Sequence, residues 1–268
     1  MGVRVLRPRS AARWGVAVLA WLLVMAGGSA TAAVGATQGP GSSSAAAVSA
    51  QSARVGALFT DSSMSDHYCS ASVVDSPGGD IIVTAAHCLS TDPGTTVFVP
   101  GYRNGTAPYG EWKLVGVVED PRWTADTDSD LDVAFAVVAP LKGRQLQQVV
   151  GANRLLTDPG VGDGTPVAVT LTGYREDQDA PITCSNTASR FTSTQLRVVC
   201  ADFTDGTSGS PWVVAGPGGT AGIAGVIGGF EQGGYTAGIS YSSYFDQDTL
   251  ALYQQAVRSA DRPVVRSA

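Results

Sequence analysis

The chain has 268 residues, of which 44% are hydrophobic and 15% charged, with a net charge of −6 and a pI near 4.8. This acidic balance argues against nucleic acid or an anionic membrane surface as a partner. The sequence contains no visible repeat or coiled-coil pattern, and roughly 195 residues, from 55 to 250, are enough for one large domain.

The first 33 residues have the features of a secretory signal peptide. Arginines make the start basic, an apolar stretch covers residues 14–26, and Ala30-Thr31-Ala32 offers a cleavage site. The apolar stretch is shorter than the roughly 20 residues that a membrane span requires. An uncleaved membrane anchor is the alternative. We predict a secreted, extracellular protein with no membrane contact after signal cleavage.

Residues 34–54 consist almost wholly of small and polar residues. Such a segment buries too little apolar surface to offset the entropy of ordering it. This composition predicts a flexible linker or a short pro-segment. Residues 55–268 then form the folded domain, with a first strand at 54–59.

Short runs rich in Val, Ile and Thr follow, separated by Gly, Pro, Asn and Asp, which is typical of an all-β sandwich or barrel. The predicted strands are 71–74, 81–84, 96–99, 114–118, 133–138, 166–172, 196–199, 211–214, 221–227 and 236–241. Near the C-terminus, Leu250, Tyr253 and Val257 recur at helical spacing, so residues 246–258 are predicted to form a helix.

The stretch Thr204-Asp205-Gly206-Thr207-Ser208-Gly209-Ser210 places a serine between two glycines. Glycines allow a sharp turn that exposes the Ser208 hydroxyl and turns backbone N–H groups toward one point. A surface turn of ordinary Gly/Ser/Thr composition is the alternative. Ser208 is therefore a candidate nucleophile.

A serine hydroxyl needs a neighbouring base, and that base needs an orienting group. Only two histidines are available, and His87 follows an apolar, strand-like run, whereas His67 fits a solvated loop or the edge of a substrate crevice. For the orienting acid, Asp132 directly abuts a buried-looking strand, whereas Asp130 is expected to be solvated. His87 and Asp132 are therefore the candidate partners of Ser208.

Three motifs, Thr84-Ala85-Ala86-His87-Cys88, Asp132-Val133-Ala134-Phe135 and Gly206-Thr207-Ser208-Gly209-Ser210-Pro211, together resemble the chymotrypsin/trypsin-like serine protease superfamily. The detail is most similar to its secreted bacterial branch, which includes glutamyl endopeptidase-like enzymes. The order His, Asp, Ser matches this superfamily, whereas an α/β-hydrolase needs a histidine after its serine. The resemblance covers about residues 55–250.

The resemblance implies two six-stranded antiparallel β-barrels, at 55–145 and 146–245, with a helix and tail at 246–268 packed on the second barrel. It places the active site between the barrels, with His87, Asp132 and Ser208 as the catalytic triad. The N–H groups of Gly206 and Ser208 would form the oxyanion hole. Thr207 stands where trypsin-like enzymes carry the aspartate that pairs with a newly freed amine, so Val55-Gly56 is interpreted as strand.

Four cysteines in an exported chain indicate two disulfides, with three possible pairings. The resemblance implies a Cys69–Cys88 bridge beside the histidine, which leaves Cys184 and Cys200 for the second. Zinc at Cys88 and His87 is disfavoured because no paired C-x-x-C spacing is present. Asp126, Asp128 and Asp130 fit a solvated acidic loop better than a calcium site. We expect no cofactor and no metal.

The resemblance also indicates a specificity pocket. Asp202 falls where trypsin-like enzymes carry the aspartate that selects Arg or Lys, although the neighbouring cysteine of those enzymes is replaced by Thr204. Gly228, Gly229 and Phe230 are expected on the opposite wall. Glutamate-selective relatives use a histidine that this chain lacks, so a basic or undetermined P1 residue ranks above glutamate.

The predicted function is that of a monomeric, secreted serine endopeptidase acting on protein or peptide substrates. Two alternatives remain. A non-catalytic binding or adhesion module can share the fold, because a fold does not determine function. An esterase of small acyl substrates would use the same three residues.

Overall fold

A computed structural model describes residues 39–89, 94–160 and 166–260. The predicted signal peptide and the last eight residues of the tail lie outside these ranges. None of the helices within them is long and apolar enough to cross a membrane.

The described residues form mostly strands. The strands are β1 (Ser44–Ala45), β2 (Val55–Phe59), β3 (His67–Val74), β4 (Ile81–Thr84), β5 (Val97–Pro100), β6 (Trp112–Glu119), β7 (Ala134–Val138), β8 (Arg154–Leu155), β9 (Val167–Gly173), β10 (Ile182–Arg190), β11 (Gln195–Val198), β12 (Pro211–Ala215), β13 (Ala221–Val226) and β14 (Ser240–Ser243). The α-helices are α1 (Ala50–Ala53), α2 (Pro121–Asp126), α3 (Leu146–Val150) and α4 (Gln247–Ala260).

The first half is a closed barrel of six strands in the order β2-β3-β4-β7-β6-β5. Side chains alternate between its two faces, as strand geometry requires. Ile82 packs inside the barrel with Leu58 and Phe98, whereas Ile81 and Val83 belong to a second apolar cluster that includes strands of the other half. Both faces of β4 are therefore buried, which fixes the strand that leads to His87.

The second half is an eight-stranded sheet, and its hydrogen-bonded path runs β14-β11-β10-β9-β12-β13-β8, with β1 paired to β10. The expected chymotrypsin-like architecture is confirmed. This half contains six strands, β9 to β14, and two short additions: β8 pairs in parallel with β13, and β1 comes from the N-terminal segment.

The segment 39–54, which we call the N-terminal strap, is ordered. Its β1 pairs with β10, and Gly41 bridges Cys200 in the same sheet. Ser49 caps α1 through a reciprocal pair of hydrogen bonds with Ser52. The expectation of a flexible linker is thus wrong for these residues. Main-chain hydrogen bonds to the sheet stabilise the segment, although its small side chains bury little apolar surface.

The C-terminal helix α4 packs on the first barrel, and the expectation that it packs on the second half is wrong. Its Leu252 and Ala256 are buried in the cluster that contains Val83 and Phe135 of that barrel. The buried face of α4 also carries Thr249. Tyr253 and Val257 lie half-buried at the edges of this face. Both ends of the described chain therefore lie against the half that is farther away in sequence.

Two disulfides are present, Cys69–Cys88 and Cys184–Cys200. The first joins β3 to the turn that carries His87, and the second joins β10 to Cys200, two residues after the end of β11. Each bridge stays within one half. Cys69, His87 and Cys88 lie close together, but the disulfide uses the sulfur atoms that a metal would need.

Candidate active site

His87 lies on a short 3-10 turn, Ala86–Leu89, directly after β4. Ala85 and Ala86 are fully buried, and the side chain of His87 is 14% exposed. A Cβ added at Gly228 would lie only 3.1 Å from the Ala85 Cβ, so Gly228 packs closely against the segment that leads to the histidine. The Cys69–Cys88 bridge ties this turn to β3.

Asp132 is completely buried and accepts three hydrogen bonds. Its Oδ2 lies 2.8 Å from His87 Nδ1 and accepts from Gly229 N over 2.9 Å, while Oδ1 accepts from His87 N over 3.0 Å. These donors offset the cost of burying a carboxylate. Since a carboxylate only accepts, Nδ1 of the imidazole carries a proton, and Nε2 of the neutral ring carries the lone pair that can accept one.

Glu119 of β6 brings a second carboxyl near this acid. Burial, and secondly the negative charge of Asp132, raise the pKa of Glu119 above its ordinary value. Its Oε1 has no hydrogen-bond partner among the described residues. The ionised form of Glu119 is therefore disfavoured in the folded protein.

Ser208 lies in a tight turn whose flanking residues are joined by hydrogen bonds. Thr207 N donates to Thr204 O and Ser210 N donates to Thr207 O, each over 3.0 Å. Ser208 O accepts from Ser70 N of β3 over 2.7 Å, which holds the turn against the first barrel. Within the described chain, the N–H groups of Gly206 and Ser208 donate to no protein acceptor, so both are available to a ligand.

The two glycines of this turn are required by conformation and by space. Gly206 and Gly209 have φ of +86° and +79°, which side chains rarely adopt. A Cβ on Gly206 would overlap the backbone N of Glu176, and one on Gly209 would overlap Ser70 O and the Thr84 hydroxyl. The turn can therefore pack this tightly only with glycine at both positions.

A buried hydroxyl that the sequence motifs did not indicate supports the same turn. Ser70 Oγ donates to Gly206 O over 3.1 Å and accepts from Tyr174 N over 2.8 Å. Ser70 lies one residue after Cys69 in an ordinary β-strand pattern, so the sequence contains no signal that singles it out. It links the first barrel to the loop of the candidate nucleophile.

A cavity of about 210 Å³ opens beside Ser208. Its lining is mainly polar and includes Thr204, Thr207, Gln232, Tyr235 and Thr236. Among the residues that the structure describes, Asp205 is the one charged residue in this lining. The cavity therefore offers hydroxyl and amide groups and a single carboxylate to a side chain that enters it.

The structure does not place the four predicted pocket residues in this cavity. Asp202 is exposed, has a φ of +66°, and accepts from Ser43 Oγ of the N-terminal strap over 2.5 Å. Gly228 and Gly229 contact Asp132: Gly229 N donates to its carboxylate, and a Cβ on Gly228 would lie 2.8 Å from its backbone oxygen. Phe230 lines a neighbouring depression with Trp123. The lining residues come instead from 203–205, 207–208, Ile227 and 232–237.

His67 and Val55 are the first residues of two strands of the first barrel. His67 is only 4% exposed and packs among Phe59, Tyr102 and Tyr174, so a solvated loop position is wrong. Val55 begins strand β2, as interpreted.

Thr207, the residue before the candidate nucleophile, is buried, and its hydroxyl donates to Thr204 O over 2.6 Å. The Thr207 hydroxyl thus finds its partner inside the turn, at the position where trypsin-like enzymes carry the aspartate that pairs with a newly freed amine.

A family model described as Trypsin matches residues 43–247. The chain belongs to the trypsin family. It is accordingly a serine-type endopeptidase, and the matched range includes most of the N-terminal strap as well as both halves. No curated protein is similar enough in sequence to count as a match.

Solved structures of proteases are similar to this trypsin-family chain. Protease Anisep from Arthrobacter nicotinovorans is 25% identical, with a TM-score of 0.66 over 81% of this chain and 99% of its own. The thermostable serine protease AL20 from an extremophilic microorganism is 26% identical, with a TM-score of 0.66 over 79% and 100%. A Glu endopeptidase, at 15% identity and a TM-score of 0.63 over 81% and 96%, shares the fold.

Proposed function

We propose that this trypsin-family protein is a secreted endopeptidase in which Ser208, His87 and Asp132 cleave peptide bonds through an acyl-enzyme. The observation that carries the proposal is the 2.8 Å hydrogen bond between His87 Nδ1 and the buried Asp132 carboxylate. With Nδ1 protonated by this pairing, Nε2 is the acceptor that a serine nucleophile needs.

In the proposed reaction, His87 Nε2 takes the proton of Ser208 Oγ as the oxygen attacks the carbonyl carbon of the scissile bond. The protonated imidazole then gives that proton to the leaving amine, and the acyl-enzyme forms. Water, deprotonated by His87 in turn, releases the second product. Asp132 holds the ring in orientation and stabilises its positive charge.

The negative charge on the attacked carbonyl oxygen would be stabilised by the N–H groups of Gly206 and Ser208. Both N–H groups lack a protein acceptor within the described chain and belong to residues held in a rigid turn. Preorganised donors of this kind are typically worth about 100- to 1000-fold in rate each.

The substrates are proteins or peptides. The pocket beside Ser208 is lined by Asp205 and, among the described residues, by no basic side chain, which favours a neutral or basic P1 side chain over a glutamate. Two disulfides and the predicted signal peptide support export to an oxidising environment.

The proposal is tested by labelling the purified protein with a fluorophosphonate probe, which reacts covalently with activated serines. Labelling is expected for the unmodified protein and for Ser193→Ala, which removes an exposed loop hydroxyl. Labelling is expected to vanish in Ser208→Ala and His87→Ala. A folded, disulfide-bonded protein that takes no label would overturn the mechanism and favour a binding module.

A further inference from the structure

Gln195 is a buried side chain that reaches from the second half of the protein to the first. It begins β11, where it pairs with Ser243 of β14, and it is 3% exposed. Its Nε2 donates to Ser129 O over 2.8 Å and to Asp130 Oδ1 over 2.6 Å. Both acceptors lie in the 3-10 turn Ser129–Leu131 that directly precedes Asp132.

The other end of the same amide contacts a different segment. Gln195 Oε1 accepts from Phe230 N over 3.2 Å, and the preceding residue, Gly229, donates its N–H to Asp132 Oδ2. A Cβ on Gly229 would overlap Gln195 Oε1. The amide therefore fills the space between the two segments that hold the Asp132 carboxylate.

We propose that Gln195 is a positioning residue for the reaction: it fixes the Asp132 turn against the Gly229–Phe230 segment and thereby sets the orientation of His87. The inference rests on the proposed function of the triad. Gln195 does not contact substrate and acts through Asp132.

The arrangement requires an amide in particular. The turn presents two acceptors, Ser129 O and Asp130 Oδ1, whereas Phe230 presents a donor. Only an amide side chain offers two donors and an acceptor at one end. A carboxylate at position 195 would face the Asp130 carboxylate, and the two negative charges would repel each other. An apolar side chain would leave the three groups that contact the Gln195 amide, all half-buried, without this partner.

The test compares Gln195→Met, Gln195→Glu and Asp130→Asn/Gln195→Glu with unmodified protein. Gln254→Met, on the exposed face of α4, is the matched control. Fluorophosphonate titration counts the competent sites in each sample, so that kcat is expressed per titrated site. The substrate is a small ester that occupies only the P1 pocket and Ser208.

Gln195→Met is expected to lower kcat per titrated site by about 10- to 100-fold, with KM within about twofold, since a small misplacement of a catalytic group costs about this much. Gln195→Glu is expected to lose at least as much. The double variant is expected to recover part of that loss, because the amide introduced at position 130 can donate to the carboxylate introduced at position 195. Gln254→Met leaves both constants unchanged.

A structural role alone would reduce the number of titrated sites and leave kcat per site unchanged in Gln195→Met. That result would overturn the inference while the proposed function stands, because the unmodified protein would still be labelled and active. Absence of rescue in the double variant would also count against it. If the unmodified protein takes no label, the proposed function itself fails, and the inference fails with it.

Discussion

Gly229 donates its backbone N–H to Oδ2 of Asp132 over 2.9 Å, across the boundary between the two halves of the molecule. Asp132 follows the first barrel's 3-10 turn, whereas Gly229 follows β13 of the second sheet. The same oxygen faces His87 Nδ1. The orientation of the imidazole therefore depends on how the two halves are held together, and not on the first barrel alone.

Asp132→Asn is expected to lower kcat by about 10,000-fold with the fold intact. Both oxygens of Asp132 accept hydrogen bonds, whereas asparagine has one acceptor oxygen. When its NH₂ group faces Nδ1, that nitrogen must accept a hydrogen bond, and the imidazole adopts the wrong tautomer. The measurement is kcat per titrated site, with circular dichroism to verify folding. Asp128→Asn is the control, since the exposed Asp128 only caps a turn through an oxygen that asparagine retains. A loss below about tenfold for Asp132→Asn would argue against the assigned acid.

Gly209→Ala is expected to destabilise the protein far more than Gly105→Ala. Both residues have positive φ, of +79° and +75°, so the two variants share the same backbone strain of about 1–2 kcal/mol. At Gly209 the new methyl group would also overlap Ser70 O and Thr84, whereas nothing lies within 4 Å of Gly105. Urea unfolding of both variants measures the difference. Equal losses would show that the turn relaxes easily.

Glu119→Gln is expected to make the protein more stable at about pH 7.5 and to have little effect below about pH 4. The pKa of Glu119 is raised in the folded state, so its stabilising contribution is complete below the ordinary pKa of 4.5 and is lost as the pH rises. Glutamine cannot ionise and avoids that loss.

Urea unfolding across this pH range is the measurement, with Glu111→Gln as the control for removing one negative charge near the other end of β6. A difference that does not change with pH would contradict the prediction.

Removal of residues 39–54 is expected to destabilise the protein and to reduce fluorophosphonate labelling. The truncation deletes β1, helix α1 and the Ser43–Asp202 hydrogen bond next to the pocket loop. Thr207 needs no amine partner, because its hydroxyl bonds to Thr204 O. Thermal unfolding and labelling of the two forms provide the measurement. Stronger labelling after truncation would instead indicate an inhibitory pro-segment.

Strong local patterns made much of the fold predictable. The strand at residues 81–84 has the predicted bounds, since Ile-Ile-Val-Thr is buried on both faces. Strand β10 was missed because its central residues, Thr183, Ser185, Asn186 and Thr187, are polar although the strand lies between β9 and its other partners. Main-chain pairing, and not side-chain hydrophobicity, determines such a strand.

The site was predictable where its chemistry depends on residue type and order along the chain. His87 follows β4 by three residues, and Asp132 precedes β7 by two. They lie within hydrogen-bonding distance because these two buried strands pair, with Thr84 opposite Ala134. The pocket was not predictable, because the Asp202 side chain bonds to Ser43 of the N-terminal strap and does not line the cavity. Gln195 carries no sequence signal either, since its role depends on three segments that meet only in the folded protein.

The crossing of the chain ends has a consequence for a protease exposed to its own activity. The N-terminal strap lies in the sheet of the second half, and α4 lies on the barrel of the first. Neither disulfide joins the halves. A cut in the connection near residues 151–153 would therefore leave two fragments held together without a covalent bond. The N-terminal fragment would still contribute β1 to the second sheet, and the C-terminal fragment would still pack α4 on the first barrel. Such a nicked molecule is expected to migrate as two fragments in a denaturing gel and as one particle in solution.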